Sequence, residues 1–451
     1  MAGGKLVVVG AVAAGMSAAS QAKRRRPEIE VEVFEQGRWV SYGACGMPYN
    51  IQDPARPIDD LVVITPERFL TERQIRVNTN HRVEKGDTAA GRVRVNDGKS
   101  SRWVGYDWLV LATGCSPQVP DVEGKDLSGV FVLHNLDHAA AIKDFLARHD
   151  PRRAVVVGGG HIGLEMAEVL TTRGLEVTVI KRSEAMPPGQ PGEVTSMVRA
   201  ELDKYGVRVV TGARLDCLEG RGRVERVVTD QGKLDADFVL IATGVKPNVE
   251  LAEAAGIRLG GSGAIEVDEH QATSAERVWA AGDCSEAFHR LLGKGMFIPR
   301  GTTANKQGRV AGANVAGAKA RFAGVLGTSV TKVFGLAVGN TGIDERQAAS
   351  LGIEAAAVVV TTATRAHAYP GASRIMVRLV FDRASGRVLG AQICGGEGVA
   401  KRLDVVAAAI QAGWDVEELA GLDASYAPPF APVWDPVLVA ANQARKVAGG
   451  R

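Results

Sequence analysis

The chain lacks almost everything that marks a membrane, secreted or nucleic-acid-binding protein. No apolar run approaches the roughly 18 residues of a membrane-spanning helix. The N-terminus, MAGGKLVVVG, runs straight into a strand, without the apolar stretch and small-residue cleavage site of a secretion signal. That leaves the cytoplasm. Cysteine is sparse: Cys45, Cys115, Cys217, Cys284 and Cys394 are odd in number and widely scattered. Neither a disulfide framework nor a metal site with regular ligand spacing is expected. Charge of one sign is missing too. The net charge is +3 over 451 residues, and KRRRPE at 23–28 is one short basic cluster without a basic tail. Neither nucleic acid nor a membrane is an expected partner.

Glycine is what the chain has in quantity. Its 54 glycines and 45% hydrophobic residues describe an α/β protein rich in tight turns, and its length calls for two or three domains. KLVVVGAVAAGMSAASQAKRR (5–25) reads as an apolar strand, a small-residue turn and an alanine-rich helix. Gly10 ends the strand and Gly15 falls where helix and strand pack closely. Val12 stands where a dinucleotide fingerprint has its second glycine. The next strand, EVEVFE, ends in Glu35, twenty residues beyond Gly15. An acid there suits a pair of ribose hydroxyls, with a pyrophosphate at the helix N-terminus. The residues alone fit equally a plain βαβ turn with a surface glutamate.

RRAVVVGGGHIGLEMAEVL (152–170) repeats the pattern in better-formed fashion, with Gly158, Gly160 and Gly163. The strand that follows, EVTVI, ends at Lys181 and Arg182. An acid there would select the 2′-hydroxyl of NAD, whereas two cations favour the 2′-phosphate of NADP, unless both are solvated surface charges. YDWLVLATG (106–114) and ADFVLIATG (236–244) are near-duplicates that bracket this second loop, and AERVWAAGDC (275–284) ends another strand at Gly282 and Asp283. The pairing implies one doubly wound domain inserted into another, the outer one interrupted near residue 120 and resuming near 243.

Together these landmarks resemble the pyridine nucleotide–disulfide oxidoreductases. SYGACGMPY (41–49), GTTANKQGRVAG (301–312) and YAPPFAPVWDPV (426–437) are most similar to the single-cysteine branch typified by coenzyme A-disulfide reductase. The likeness covers almost the whole chain. It implies an FAD-binding domain at 1–119 and 243–320, an NAD(P)H-binding domain at 120–242 and an α+β dimerisation domain at 321–451, with the active sites shared across a homodimer. FAD is implied on the first loop, through Gly10, Gly15, Glu35, Thr113, Gly114, Gly244, Ala304 and Asp283, the last at the flavin's ribitol chain. NADPH, with NADH as the alternative donor, is implied on Gly158, Gly160, Gly163, Lys181 and Arg182.

Members of the family with an internal redox disulfide carry two cysteines four residues apart; SYGACGMPY has one. A lone thiol is commonly an inert, packed one. This one lies in a small-residue turn expected to open a helix, whose N-terminal dipole lowers a thiol pKa. The resemblance makes Cys45 the nucleophile, held against the flavin. Its oxidised state is then a mixed disulfide with coenzyme A or a smaller thiol, or a sulfenic acid. The resemblance also implies coenzyme A contacts at Ser17, Gln21, Arg24, Ser41, Arg73 and Asn305, the two arginines against phosphates. Lys23, Arg25 and Arg26 are left as a solvated helix end. Tyr426 is implied to reach the partner subunit's active site and to protonate or orient the leaving thiolate. Tyr369 survives from a pair of tyrosines whose other member is Ala368 here. Ala44 and Trp434 depart from the family's coenzyme A contacts.

The activity implied is NAD(P)H-dependent reduction of coenzyme A disulfide. Reduction of coenzyme A persulfide or polysulfide on the same apparatus is the nearest alternative. Relatives of that kind often append a rhodanese domain, which a chain of 451 residues is expected to lack. An oxidase or peroxidase is disfavoured by Ala13, where peroxidase relatives place a histidine. A non-catalytic redox-sensing flavoprotein is disfavoured because no segment remains for a further binding domain.

Overall fold

The N-terminal apolar run becomes strand β1 (Lys5–Val9) in the computed structural model, which describes residues 3–448. It is the centre of a parallel sheet in the order Val278–Ala280, Trp108–Leu111, β1, β2 (Glu30–Phe34), β3 (Ile75–Asn78). Side chains alternate across a strand, and here both faces are covered. Leu6 and Val8 pack with Val31, Val33, and Ala18 and Ala22 of helix α1 (Ala13–Arg25). Val7 and Val9 pack with Val93, Val95 and Val104 of an antiparallel three-stranded layer. Two-sided burial is why β1 reads as an unbroken apolar run instead of an alternation.

Helix Gly301–Val315 lies directly on α1. A Cβ at Gly308 would sit 2.2 Å from the Ala14 carbonyl oxygen and one at Gly312 2.1 Å from that of Ala18, so only glycine permits this approach. These elements form one compact unit: residues up to Gln118, Val132–Asp150 and Gly244–Val325. The motif spacing assigns all of 120–242 to the insertion, whereas helix Leu136–His149 belongs to this first unit. Lys143 is the physical reason. Its ammonium donates to the carbonyls of Asn50, Asp53 and Arg56, while Asp137 accepts from Arg38 and Trp39.

The second unit comprises Val119–Phe131, Pro151–Thr243 and the chain from Leu326 onward. It holds another parallel sheet, ordered Arg208–Thr211, Glu176–Lys181, Arg153–Val157, Phe238–Ile241, Val130–Phe131. Its other sheet is antiparallel, ordered Ser329–Val333, Leu336–Gly342, Val388–Gly395, Arg374–Asp382, Ala355–Ala363, and packs with helices Val399–Ala412 and Pro436–Arg445. Acidic side chains tie the two parts. Glu168 accepts from Lys332 Nζ and the Phe334 N–H, Glu165 from the Thr331 hydroxyl, and Glu201 from the Gly335 N–H. Two doubly wound nucleotide-binding folds and a C-terminal α+β portion are thus present, as the sequence implies. Among the described residues no helix is long and apolar enough to cross a membrane, and no group of three His, Cys, Asp or Glu side chains is placed to hold a metal.

Candidate active site

Gly10 leaves β1 with φ +103°, and a Cβ there would stand 2.1 Å from the Ala112 carbonyl oxygen. A Cβ at Gly15 would stand 1.8 Å from the carbonyl oxygen of Gly10. Both obstacles are backbone and cannot move aside, so the turn requires both glycines. It ends at α1, whose first N–H groups suit a pyrophosphate. Glu35, just past β2, accepts from the N–H of Ala11 at 2.9 Å and of Gly37 at 2.8 Å. Burial raises its pKa, and those backbone bonds oppose the rise.

The neighbouring strand leads into a second turn. Thr113 Oγ1 donates to the Asn248 carbonyl at 2.7 Å, and Asn248 Nδ2 returns a bond to the Thr113 carbonyl at 2.8 Å. Gly114 and Gly244 both take positive φ, +69° and +115°. Asp283 accepts from Cys115 Sγ at 3.3 Å and from the Arg300 N–H. Burial raises the pKa of Asp283, and burial together with the Asp283 charge drives that of Cys115 far above the ordinary thiol range. Cys115 is therefore a protonated donor, not a nucleophile. A Cβ at Gly282 would meet the Cβ of Ala14 at 2.8 Å and of Ala304 at 3.5 Å, which places Asp283 close to both helices. A glycine cradle, a carboxylate at a strand end and a second carboxylate beside it fit a flavin dinucleotide.

Cys45 lies in a 3₁₀ turn, Ala44–Gly46, ahead of α2 (Met47–Gln52); it is exposed and outside any disulfide. Its loop is anchored to the glycine turn and to the following segment. The Ser41 N–H donates to Ala11, the Val63 N–H to Ser41 and the Gly43 N–H to Leu61, each at 2.8 Å. The expected helix is present but is only six residues long. That is a weak dipole, so an acidic thiol here needs another source of positive charge.

Most of the coenzyme A candidates form one band. Ser17, Gln21 and Arg24 recur at i, i+4 and i+7 along α1. Ser17 Oγ donates to Asn305 at 2.7 Å and Arg24 to Gln21 at 2.8 Å. Arg73, at the end of helix Pro66–Arg73, reaches Ser20 at 3.0 Å. Ser41 stands apart, in the Cys45 loop. Of the remaining basic cluster, Lys23 donates to the Ile29 carbonyl and Arg26 pairs with Glu28.

In the second unit, Gly158 (φ +118°) and Gly163 repeat the first turn. Their Cβ atoms would stand 2.2 Å from the Ala242 oxygen and 2.0 Å from the Gly158 oxygen, whereas a Cβ at Gly160 meets nothing within 4 Å. Lys181 does not stand where the sequence suggests. It is buried beneath Gly159 and its Nζ donates to the Ala185 carbonyl, with burial lowering its pKa. The exposed cation at this strand end is Arg182. Tyr369 and Tyr426 occupy two loops joined by the Ala366 N–H and the Pro428 carbonyl at 3.2 Å. Buried Arg402 grips both loops: it donates to the carbonyls of Thr364 at 3.0 Å and Phe430 at 3.4 Å, and to Asp435 at 2.8 Å. Tyr369, Tyr426 and Trp434 remain 38%, 50% and 61% exposed, so none is spent on the core of its own chain.

Asn248, Arg300 and Arg402 are not among the residues that the sequence motifs single out. Arg402 sits in no motif and shows itself only through its contacts. Arg300 left a faint signal, a cation directly before GTTANKQGRVAG.

Known proteins carry the same organisation. The pyridine nucleotide-disulphide oxidoreductase family matches residues 4–320, and its dimerisation domain matches 328–436. The NAD(P)H coenzyme A polysulfide/persulfide reductase of Pyrococcus horikoshii is 42% identical over 97% of this chain and 98% of its own length. The coenzyme A disulfide reductase of Staphylococcus haemolyticus is 30% identical over 98% and 99%. The solved structure of a NAD-dependent persulfide reductase from A. fulgidus has a TM-score of 0.95 at 39% identity, covering 98% of this chain and 83% of that one. This chain belongs to the pyridine nucleotide-disulphide oxidoreductase family and is an NAD(P)H-dependent flavoprotein reductase.

Proposed function

We propose that the enzyme reduces a sulfur–sulfur bond of a coenzyme A derivative through Cys45. The observation that carries this reading is the exposed thiol on a loop bonded to the glycine cradle, while Cys115, Cys284 and Cys394 are buried. Coenzyme A persulfide, or polysulfide with coenzyme A, is the substrate class best supported. The polysulfide/persulfide reductase is 42% identical to this chain and the disulfide reductase 30%. Coenzyme A disulfide is the second reading, and Ser17, Gln21, Arg24, Ser41, Arg73 and Asn305 serve either one.

Cys45–S⁻ attacks the coenzyme A sulfur of CoA–S–SH, expels HS⁻ and forms Cys45–S–S–CoA. Two electrons and one proton then regenerate Cys45–S⁻ and release CoA–SH. With coenzyme A disulfide the first leaving group is CoA–S⁻ and the adduct is unchanged. FAD, when bound, relays those two electrons from the nicotinamide to sulfur. Gly10, Gly15, Glu35, Thr113, Gly114, Gly244, Asp283 and Ala304 hold it; Gly158, Gly160, Gly163 and Arg182 hold NADPH. Arg24 and Arg73 neutralise coenzyme A phosphates. Tyr369 and Tyr426 act in the partner subunit's active site, orienting or protonating the departing thiolate. That requires a homodimer through residues 328–436, working in the cytoplasm, where thiols stay reduced.

The test compares kcat/KM for coenzyme A persulfide, polysulfide and coenzyme A disulfide in the wild type and Cys45→Ser. The variant should keep its FAD and lose turnover on all three by about 10³-fold or more, equivalent to about 4 kcal/mol. The persulfide should exceed the disulfide by about tenfold. Undiminished turnover in Cys45→Ser would sink the mechanism, and a preference for the disulfide would restore the second reading.

A further inference from the structure

Helix Leu136–His149 holds the Cys45 segment at both of its ends. In the helix's first turn, Asp137 accepts from Arg38 Nε at 2.8 Å and Trp39 Nε1 at 2.9 Å. Lys143 lies about 9 Å further along the axis. Its ammonium donates to the Asn50 carbonyl at 3.0 Å, the Asn50 side-chain oxygen at 3.1 Å and the Asp53 carbonyl at 2.9 Å, and also to the Arg56 carbonyl. These partners bracket Cys45 along the chain. Between them the Ser41 N–H donates to Ala11. The segment is therefore tied to the glycine turn in its middle and to one helix at its two ends.

The backbone carries that hold to the thiol. Gly46 and Met47 are both right-handed helical, so the turn containing Cys45 runs without a break into α2. A helical run this short is marginal by itself, and its last carbonyls have no partner within the helix. Lys143 supplies one. A single ammonium gathers Asn50 in the last turn, Asp53 at the C-cap and Arg56 in the loop beyond. Asn50 is fully buried, and its Nδ2 donates to the Pro57 carbonyl at 2.8 Å, so the same amide closes that loop. With the far end of the run fixed, the Cys45 turn at the near end has one place to stand. Ser17, Gln21, Arg24, Arg73 and Asn305 lie on other helices and are outside this hold.

We infer that Lys143 is a positioning residue for Cys45, acting through the C-terminal end of α2. The inference rests on Cys45 being the nucleophile. Attack on the coenzyme A sulfur and the later return of electrons to Sγ both need the thiol in one place. A displacement of about 1 Å at a reacting atom costs about a hundredfold in rate. Hydride delivery to the flavin does not involve the thiol, so loosening α2 should harm one half of the reaction and spare the other.

The experiment measures two activities of the FAD-loaded full-length enzyme. One is NADPH-dependent turnover of coenzyme A persulfide, which needs Cys45. The other is ferricyanide reduction, in which one NADPH reduces two ferricyanide ions to ferrocyanide and releases NADP⁺ and a proton, and which needs only the flavin. Lys143→Met should lower kcat for the persulfide by about 10- to 100-fold and leave its KM within about threefold. Its FAD content and ferricyanide turnover should match the wild type. Asp137→Ala releases the other end of the segment from a half-exposed site. It should show the same split at about three- to tenfold, and it carries the test if Lys143→Met fails to fold. Wild-type persulfide turnover in the folded variant overturns the inference. So does a parallel fall in both activities, which would make Lys143 a general prop of the fold. Failure of the functional reading looks different: Cys45→Ser would itself keep its persulfide turnover.

Discussion

The first glycine loop and the second are the same turn built twice with different chemistry at the strand end. The Gly10 N–H donates to Phe34 and the Gly158 N–H to Ile180, both at 2.8 Å. A Cβ would collide with the Ala112 oxygen in one and the Ala242 oxygen in the other, and Gly15 and Gly163 each back onto the carbonyl of their opening glycine. The middle position is free to differ. Val12 precedes α1 where Gly160 precedes the second helix, and nothing in the protein crowds Gly160. At the strand ends Glu35 accepts two backbone N–H groups, while Lys181 donates to a carbonyl. Backbone collision sets the cradle in both, while the side chains at the two strand ends are differently engaged.

Equivalence of the outer glycines is the strongest claim to break. Gly15→Val and Gly163→Val should each cost about 3 kcal/mol or more, since overpacking against backbone cannot relax. Gly15→Val should also lose flavin. Thermal unfolding and the flavin absorbance measure both, and a wild-type Tm in either variant would mean the two turns are not alike.

The strand-end difference predicts a smaller, selective effect. Arg182→Ala should lower kcat/KM for NADPH relative to NADH by about 1.5–3 kcal/mol, the worth of a charge-assisted hydrogen bond. Lys181→Met should change that ratio less, because its ammonium is already engaged. Equal efficiency of the two donors in the wild type would remove the basis for the assignment.

The same pair should tilt stability with pH in opposite ranges. Burial raises the Glu35 pKa, so the native apoprotein keeps that proton to higher pH than the unfolded chain does. The contribution of this group to stability therefore falls as pH rises from the unfolded value near 4.3 through the raised native one. Lys181, with a lowered native pKa, contributes a rise with pH on the alkaline side. Glu35→Gln should flatten the acid-side slope in apoprotein unfolding followed from pH 4 to 7; an unchanged slope would mean that Glu35 is not the group responsible. Smallest of all, Gly160→Ala should alter apoprotein stability by less than about 0.5 kcal/mol while weakening NAD(P)H binding. A large loss of stability there would place the protein, not the ligand, against that glycine.

Much of the site was legible because its signals are local. Strand, turn and helix follow one another within twenty residues around Gly10 and again around Gly158, and apolar runs of four or five residues marked the strands correctly. Cys45 was visible as the lone thiol in a small-residue turn, although the short α2 does not supply the charge expected of it. Lys181 looked equivalent to Arg182 because adjacent cations at a strand end have the same spacing whether or not the loop behind closes over one of them.

What the sequence by itself determined is the repeated dinucleotide-type turn, its insertion into a second copy of itself, and the candidate nucleophile. These depend on residues that are neighbours along the chain, where steric rules and side-chain periodicity act directly. Only the tertiary structure decided which distant groups meet: Cys115 with Asp283 across 168 positions, Arg402 with Thr364, Phe430 and Asp435, and Arg300 with its unbonded Nε. Burial and the need for a counter-charge are properties of packed segments. No spacing within a single segment records them.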